Sequence, residues 1–173
     1  SFLSTPGAKD VGIEFYTFSK TFNMAGWRLA FSAGNDQMIE ALNLIQDHLF
    51  VGIFPALQEA GIAALLDPKS EEAVAQLNAT YDSRRDAFVQ AAAKIGWQAF
   101  PSRGSFYAWM PVPEGYTSES FADLLLEKAH VAVAPGKGFG PAGDAYVRIG
   151  LLVEPERLVE AVNRIANLHL FNN

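Results

Sequence analysis

The apolar residues change their spacing several times along the chain, and this alternation limits the fold more than any other feature. Val11–Ser19 (VGIEFYTFS) is rich in β-branched and aromatic residues, which predicts a strand. Thr21–Arg28 carries Asn23 and Gly26 and reads as a loop. Leu29–Ala33 reads as a second short strand, stopped by Gly34-Asn35. Met38, Ile39, Leu42, Ile45 and Leu49 then recur at three and four residues, the spacing of one helix face, with Asn35 or Asp36 as N-cap. Gly52 and Pro55 interrupt this pattern, and Ala56–Leu66 resumes it.

Asp67-Pro68 reads as a turn. A long helix is expected from Ser70, with Glu71 and Glu72 in the first turn, where the helix dipole favours carboxylates. Val74, Leu77, Tyr81, Phe88, Ala92 and Ile95 keep one apolar stripe along it, and Gly96 suits the left-handed position that ends it. Trp97–Phe100 and Phe106–Met110 read as strands joined by a turn at Ser102-Arg103-Gly104. Ser118–His130 reads as an amphipathic helix with Phe121, Leu124 and Leu125 inward. Val131–Ala134 reads as a short strand, Pro135–Gly143 as a loop and Tyr146–Gly150 as another strand. Pro155 opens a last helix with Leu158, Val162 and Ile165 on one face. The expected class is α/β in residues 1–69, followed by an α+β domain over 70–173. The first part reads as incomplete, because one strand and one short partner cannot cover its apolar residues.

Half of the 173 residues are apolar and 18% are charged, too apolar for a disordered chain. The net charge of −6 argues against a nucleic-acid partner, which needs a basic face. No window of about 18 uninterrupted apolar residues appears, so no membrane partner is expected. Cysteine is absent, which removes disulfides and thiolate metal sites. His48, His130 and His169 are scattered without metal-ligand spacing, so no metal is expected. The first residue is Ser rather than Met, which suits a processed product or a piece of a longer protein.

The chemistry is concentrated in Thr17-Phe18-Ser19-Lys20-Thr21-Phe22-Asn23-Met24-Ala25-Gly26-Trp27-Arg28. A lysine stands just past an apolar strand, among hydroxyls and aromatics. Desolvation and a neighbouring positive charge both favour the neutral amine of a lysine, and a free amine forms an imine with an aldehyde. Arg28, eight residues on, supplies a guanidinium fork suited to a phosphate, and the hydroxyls of Thr17 and Ser19 can complete a cradle. An imine-forming lysine beside a phosphate site describes a pocket for pyridoxal 5′-phosphate. On spacing alone, two ordinary surface charges are the better reading.

The stretch S-K-T-F-N-M-A-G-W-R resembles the lysine segment of class I/II aminotransferases, pyridoxal-phosphate enzymes of fold type I. The resemblance implies that Lys20 is the Schiff-base lysine and the acid/base for the proton shift. It implies that Arg28 and Thr17 bind the cofactor phosphate, with Ser19 a weaker candidate. Ala30 stands where many relatives have Gly, a small departure. Gly104-Ser105-Phe106-Tyr107-Ala108-Trp109 resembles the family's strand beside the substrate pocket, with Tyr107 lining it. Val133-Ala134-Pro135-Gly136 followed by Phe139-Gly140 resembles its V-x-P-G-x-x-F-G loop. Tyr146-Val147-Arg148-Ile149-Gly150 resembles the strand whose arginine holds the substrate α-carboxylate, so Arg148 is the expected carboxylate ligand.

The family's ring-stacking aromatic, its Asn and Tyr on the ring oxygen and its Asp on the ring nitrogen precede the lysine by more than nineteen residues. The resemblance therefore implies the C-terminal part of an aminotransferase: the tail of the large cofactor domain, then the small domain. Expected substrates are an amino acid and a 2-oxo acid, and the isolated piece is expected to be inactive. Phe106, Tyr107 and Phe139 lean towards aromatic, sulfur-containing or broadly neutral substrates. A cytoplasmic location and a homodimer of the full-length protein are expected. A lyase or decarboxylase of the same fold, or a ligand-sensing module without catalysis, remain open alternatives at this point.

Overall fold

The computed structural model describes residues 1–100 and 102–171. The chain forms two compact units, Ser1–Gln76 and Leu77–Asn173.

In the first unit, helical turn α1 (Ala8–Val11) leads through Gly12 into β1 (Ile13–Thr17), and α2 (Phe18–Thr21) follows at once. The strand expected over 11–19 is thus shorter at both ends. Val11 closes α1, and Thr17 caps α2, its Oγ1 accepting the Ser19 N–H at 3.1 Å. A 3₁₀ turn at Ala25–Trp27 precedes β2 (Ala30–Gly34), which pairs antiparallel with β1. Thr17 faces Ala30, and Ile13 faces Gly34. Gly34 has φ +142°, and a Cβ there would lie 2.3 Å from the Gly12 carbonyl oxygen, so the sheet closes where glycine is required.

Helix α3 (Asp36–Leu49) begins as expected. The Asn35 side chain accepts the Met38 N–H at 3.1 Å and donates to the Asp10 carbonyl at 2.9 Å. Helix α4 (Pro55–Leu66) starts on its proline. Phe18, Met24 and Leu29 form the small buried centre, with Leu57 and Ala60 of α4 against them. The α3 stripe keeps its spacing, but no residue of α3 is buried. Beyond its end Phe50 is 72% exposed and Val51 is 89% exposed. The apolar face is therefore formed without a cover among the described residues.

Helix α5 (Ser70–Lys94) follows the Asp67-Pro68 turn, and the division between the units falls inside it. It ends at Gly96, which is left-handed at φ +81°, and the Trp97 N–H returns to the Ala92 carbonyl at 3.0 Å. The remaining elements are β3 (Tyr107–Pro111), α6 (Ser118–Leu124), β4 (Ala134–Pro135), β5 (Tyr146–Gly150) and α7 (Pro155–Ala166). The three strands form an antiparallel sheet in the order β3-β5-β4.

Ala108 and Met110 of β3 and Val147 and Ile149 of β5 face inward by strand alternation. They meet Phe88 of α5, Phe121 of α6 and Leu158, Val162 and Ile165 of α7. Trp97 stands in this core, 5.9 Å from the Phe121 ring and 6.2 Å from that of Phe88, and its Nε1 donates to the Pro111 carbonyl at 2.7 Å.

Three expectations for the second unit are corrected. Trp97–Phe100 is extended but not a strand; after the helix-closing glycine, Phe100 bonds to the Trp109 carbonyl at 3.4 Å. The helix expected over 118–130 is α-helical only to Leu124. Leu125–Ala129 widens into a π turn, with His130 left-handed at φ +55°. Val131–Val133 does not pair. The Val131 N–H is drawn back to the Leu125 carbonyl at 3.0 Å, so pairing starts at Ala134. The loop after Pro135 holds two 3₁₀ turns, Gly136–Phe139 and Pro141–Ala145.

Candidate active site

Two groups of candidate residues can be built up, one in each unit. In the first, the β1–β2 pairing sets the frame. Thr17 and Ala30 are opposite one another and the Phe18 N–H donates to the Leu29 carbonyl at 3.2 Å, so residues 17–20 and 28–30 share one end of the hairpin. The hydroxyls of Thr17 and Ser19 are 2.9 Å apart. The Tyr16 hydroxyl donates to Thr21 Oγ1 at 2.9 Å and ties the lysine turn to the strand. Arg28 has φ +52°, an unfavourable region for a residue with a Cβ, and its Nη1 donates to the Ala25 carbonyl at 3.1 Å. No Asp or Glu among the described residues pairs with it.

Lys20 is exposed in α2, where the sequence predicts a desolvated amine. Ala30 is exposed on β2, and its methyl group blocks nothing at the hairpin end. An amine, two hydroxyls and a guanidinium with no carboxylate partner are a donor set that fits a phosphorylated aldehyde.

In the second unit, strand alternation turns Tyr107 and Trp109 of β3 and Tyr146 and Arg148 of β5 onto the face opposite the core. Trp109 and Arg148 are cross-strand partners. The Arg148 guanidinium lies 4.1 Å from the Tyr107 ring centre and 4.2 Å from that of Phe139. Trp109 meets the Phe139 ring edge-on at 5.8 Å and stacks on Tyr146 at 5.6 Å. Among the described residues Arg148 forms no ion pair. A cation held by rings rather than by a carboxylate keeps its donors available for a ligand.

The turn that carries Phe139 is held from three sides. Gly136 and Gly143 cross so closely that a Cβ on Gly143 would lie 2.1 Å from the Gly136 carbonyl oxygen. Ser118, fully buried at the start of α6, donates its hydroxyl to Asp144 at 2.8 Å and accepts the Lys137 N–H at 3.3 Å. Lys137 Nζ lies 2.7 Å from Glu119, whose carboxylate raises the ammonium above its ordinary pKa. A separate cleft of about 350 Å³ lies against α5 and β3, lined in part by Val89, Phe100 and Tyr107. Its Arg85 is held by Asp82 at 2.5 Å and Asp86 at 2.9 Å, so that cation is already neutralised.

Residues 5–165 match the family described as aminotransferase class I and II. The chain belongs to the class I and II aminotransferases. It is 60% identical over 171 residues to the L-glutamine–4-(methylsulfanyl)-2-oxobutanoate aminotransferase of Bacillus subtilis, covering 99% of this chain and 42% of that protein. It is 47% identical to the LL-diaminopimelate aminotransferase of Moorella thermoacetica, covering 95% and 42% respectively. Among solved structures, apo-BacF from B. subtilis superposes with a TM-score of 0.93 at 46% identity, over all of this chain and 44% of that one. The aromatic aminotransferase from Pyrococcus horikoshii gives 0.91 at 36% identity, over 97% of this chain and 45% of that one. The chain thus spans less than half the length of these relatives. The aminotransferases of this family are pyridoxal-phosphate enzymes.

Among the described residues no three His, Asp or Glu side chains gather as metal ligands would, and no helix is long and apolar enough to cross a membrane. The contact of Phe139 with Arg148 was not read from the sequence. The two residues are nine apart with the Pro141–Ala145 3₁₀ turn between them, and no periodicity links a turn residue to a strand residue. The signal that did exist was Phe139 between Gly138 and Gly140, an aromatic in a turn with little else to pack on.

Proposed function

We propose that this chain is the C-terminal part of a pyridoxal-phosphate aminotransferase that moves an amino group from an amino acid to a 2-oxo acid. Residues 1–69 are then the tail of the large cofactor domain and residues 70–173 the small domain. The observation that carries the reading is the hairpin end that brings together Lys20, Thr17, Ser19 and Arg28, which has no carboxylate partner among the described residues, in a chain that matches the family over residues 5–165. The uncovered apolar face of α3 supports a larger parent protein.

In this reading Arg28, with Thr17 and Ser19, binds the cofactor phosphate through charge-assisted hydrogen bonds. The bound cofactor supplies an electron sink. Lys20 Nζ is the amine that would hold the cofactor aldehyde, and it would serve as the base that moves the proton of the substrate α-carbon. Arg148 grips the substrate α-carboxylate with two parallel N–H donors, which orients the amino acid for that proton transfer. Tyr107 lines the pocket beside it. The relatives named above are all aminotransferases, which favours transamination over the lyase, decarboxylase and sensor alternatives. Homodimerisation of the full-length protein and a cytoplasmic location belong to the same reading.

The relative at 60% identity makes glutamine and 4-(methylsulfanyl)-2-oxobutanoate the first substrate pair to test. The experiment uses full-length protein and follows methionine formation by mass spectrometry. Methionine that appears only when both substrates are present, and is lost in Lys20→Ala, is the expected result. Turnover unchanged by Lys20→Ala refutes the assignment, and keto-acid release without an acceptor favours a lyase.

A further inference from the structure

We propose that Phe139 is a positioning residue for Arg148, fixing the plane of its guanidinium so that the N–H edge is presented to a monocarboxylate. The proposal rests on the carboxylate role of Arg148 given above. Arg148 sits on β5, the middle strand of its sheet. Tyr107 reaches it from β3 on one side, and Phe139 from the turn that follows β4 on the other. A guanidinium flanked by rings loses its faces to stacking and keeps its edge, where the forked donors match a planar carboxylate. An ion-pair partner would fix the same side chain but would consume those donors. None is present among the described residues.

The ring is itself held rigidly. The crossing of Gly136 and Gly143 and the Ser118–Asp144 hydrogen bond fix the backbone of its turn, and the Trp109 edge contact fixes its tilt. Yet Phe139 is 53% exposed. Such a large exposed aromatic on a braced turn adds little to the core and much to the orientation of the cation beside it. Phe139 therefore acts through Arg148 rather than through contact with the reacting atoms.

The test is a double-mutant cycle in the full-length, cofactor-loaded protein, with 4-methylpentanoate as a carboxylate probe that cannot react and calorimetry as the readout. Phe139→Leu is expected to weaken probe binding about tenfold, the size of one well-placed ring–cation contact. Phe139→Tyr, which keeps the ring, restores binding to within about twofold, and in the Arg148→Ala background Phe139→Leu changes binding by less than about twofold. In turnover, Phe139→Leu raises KM while kcat stays within about twofold. An equal loss in both backgrounds, full binding by Phe139→Leu, or no binding by the unsubstituted protein overturns the proposal. Thermal unfolding of each variant separates misfolding from the effect, and Phe139→Tyr supplies a second, conservative readout if Phe139→Leu unfolds. The same preparation is assayed for amino transfer. Its absence alongside an intact cycle removes the aminotransferase reading and leaves the Phe139–Arg148 coupling standing, and the converse result does the opposite.

Discussion

Replacing Gly143 with alanine strikes the crossing that shapes the Phe139 turn. The new Cβ would lie 2.1 Å from the Gly136 carbonyl oxygen and 2.6 Å from its carbonyl carbon. Both obstacles are backbone, so no flexible side chain can yield. Reaching ordinary contact at 3.4 Å requires the two turns to part by about 1.3 Å. Forced separation of packed elements costs about 1–3 kcal/mol. Displacing Asp144, the next residue, also strips the buried Ser118 hydroxyl of its charged acceptor, a bond worth about 1.5–3 kcal/mol. The combined loss is about 2.5–6 kcal/mol, which lowers the melting temperature of a unit this size by about 10 °C or more. Gly138→Ala is the internal control. It lies in the adjoining turn with nothing within 4 Å of its built Cβ, so its effect stays within about 0.5 kcal/mol. The assay is thermal unfolding of the 173-residue chain followed by far-ultraviolet circular dichroism. Equal midpoints for the two variants would refute the reasoning, because it rests on the difference between a blocked and an open site.

Other expectations are smaller in scope. Trp97→Phe leaves the Pro111 carbonyl without its buried donor and is expected to cost about 1–3 kcal/mol, read as a shift in the urea midpoint. The Glu160 carboxyl is held below its ordinary pKa by the hydrogen bond from Arg164, with Arg157 adding to it. A depressed carboxyl stabilises the fold above its unfolded value and loses that contribution as pH falls through the folded one. Glu160→Gln is therefore expected to lower the midpoint slightly at pH 7, with the difference shrinking as the pH falls below the ordinary carboxylate range and as salt is added. A penalty that grows in acid would contradict this sign.

Where local chemistry decided the structure, the sequence was legible. Pro155 and the spacing of Leu158, Val162 and Ile165 correspond to α7 and its buried face. Asn35 caps α3, Gly96 ends α5, and Tyr146–Gly150 is β5 to the residue. Legibility failed where a contact outside the regular helix or strand spacing intervened. Val131 looks like a strand residue, but its amide is drawn back to Leu125 and the ladder begins three residues later. The α3 stripe marked an apolar face, and the expectation that the first part lacks a cover agrees with its exposure, but periodicity could not reveal the partner surface such a face needs. In the candidate site, the lysine segment could be read because its residues are contiguous. The ring–cation arrangement at Arg148 could not, because a strand, a turn and a second strand assemble it.

The central claim is that Lys20 carries the cofactor. Full-length protein purified from cells is reduced with borohydride, digested and sequenced by mass spectrometry. The account predicts a phosphopyridoxyl group on Lys20 and on no other residue of this chain, with the visible absorbance band lost on reduction. Protein without such a band, or a label fixed to a different side chain, would contradict it.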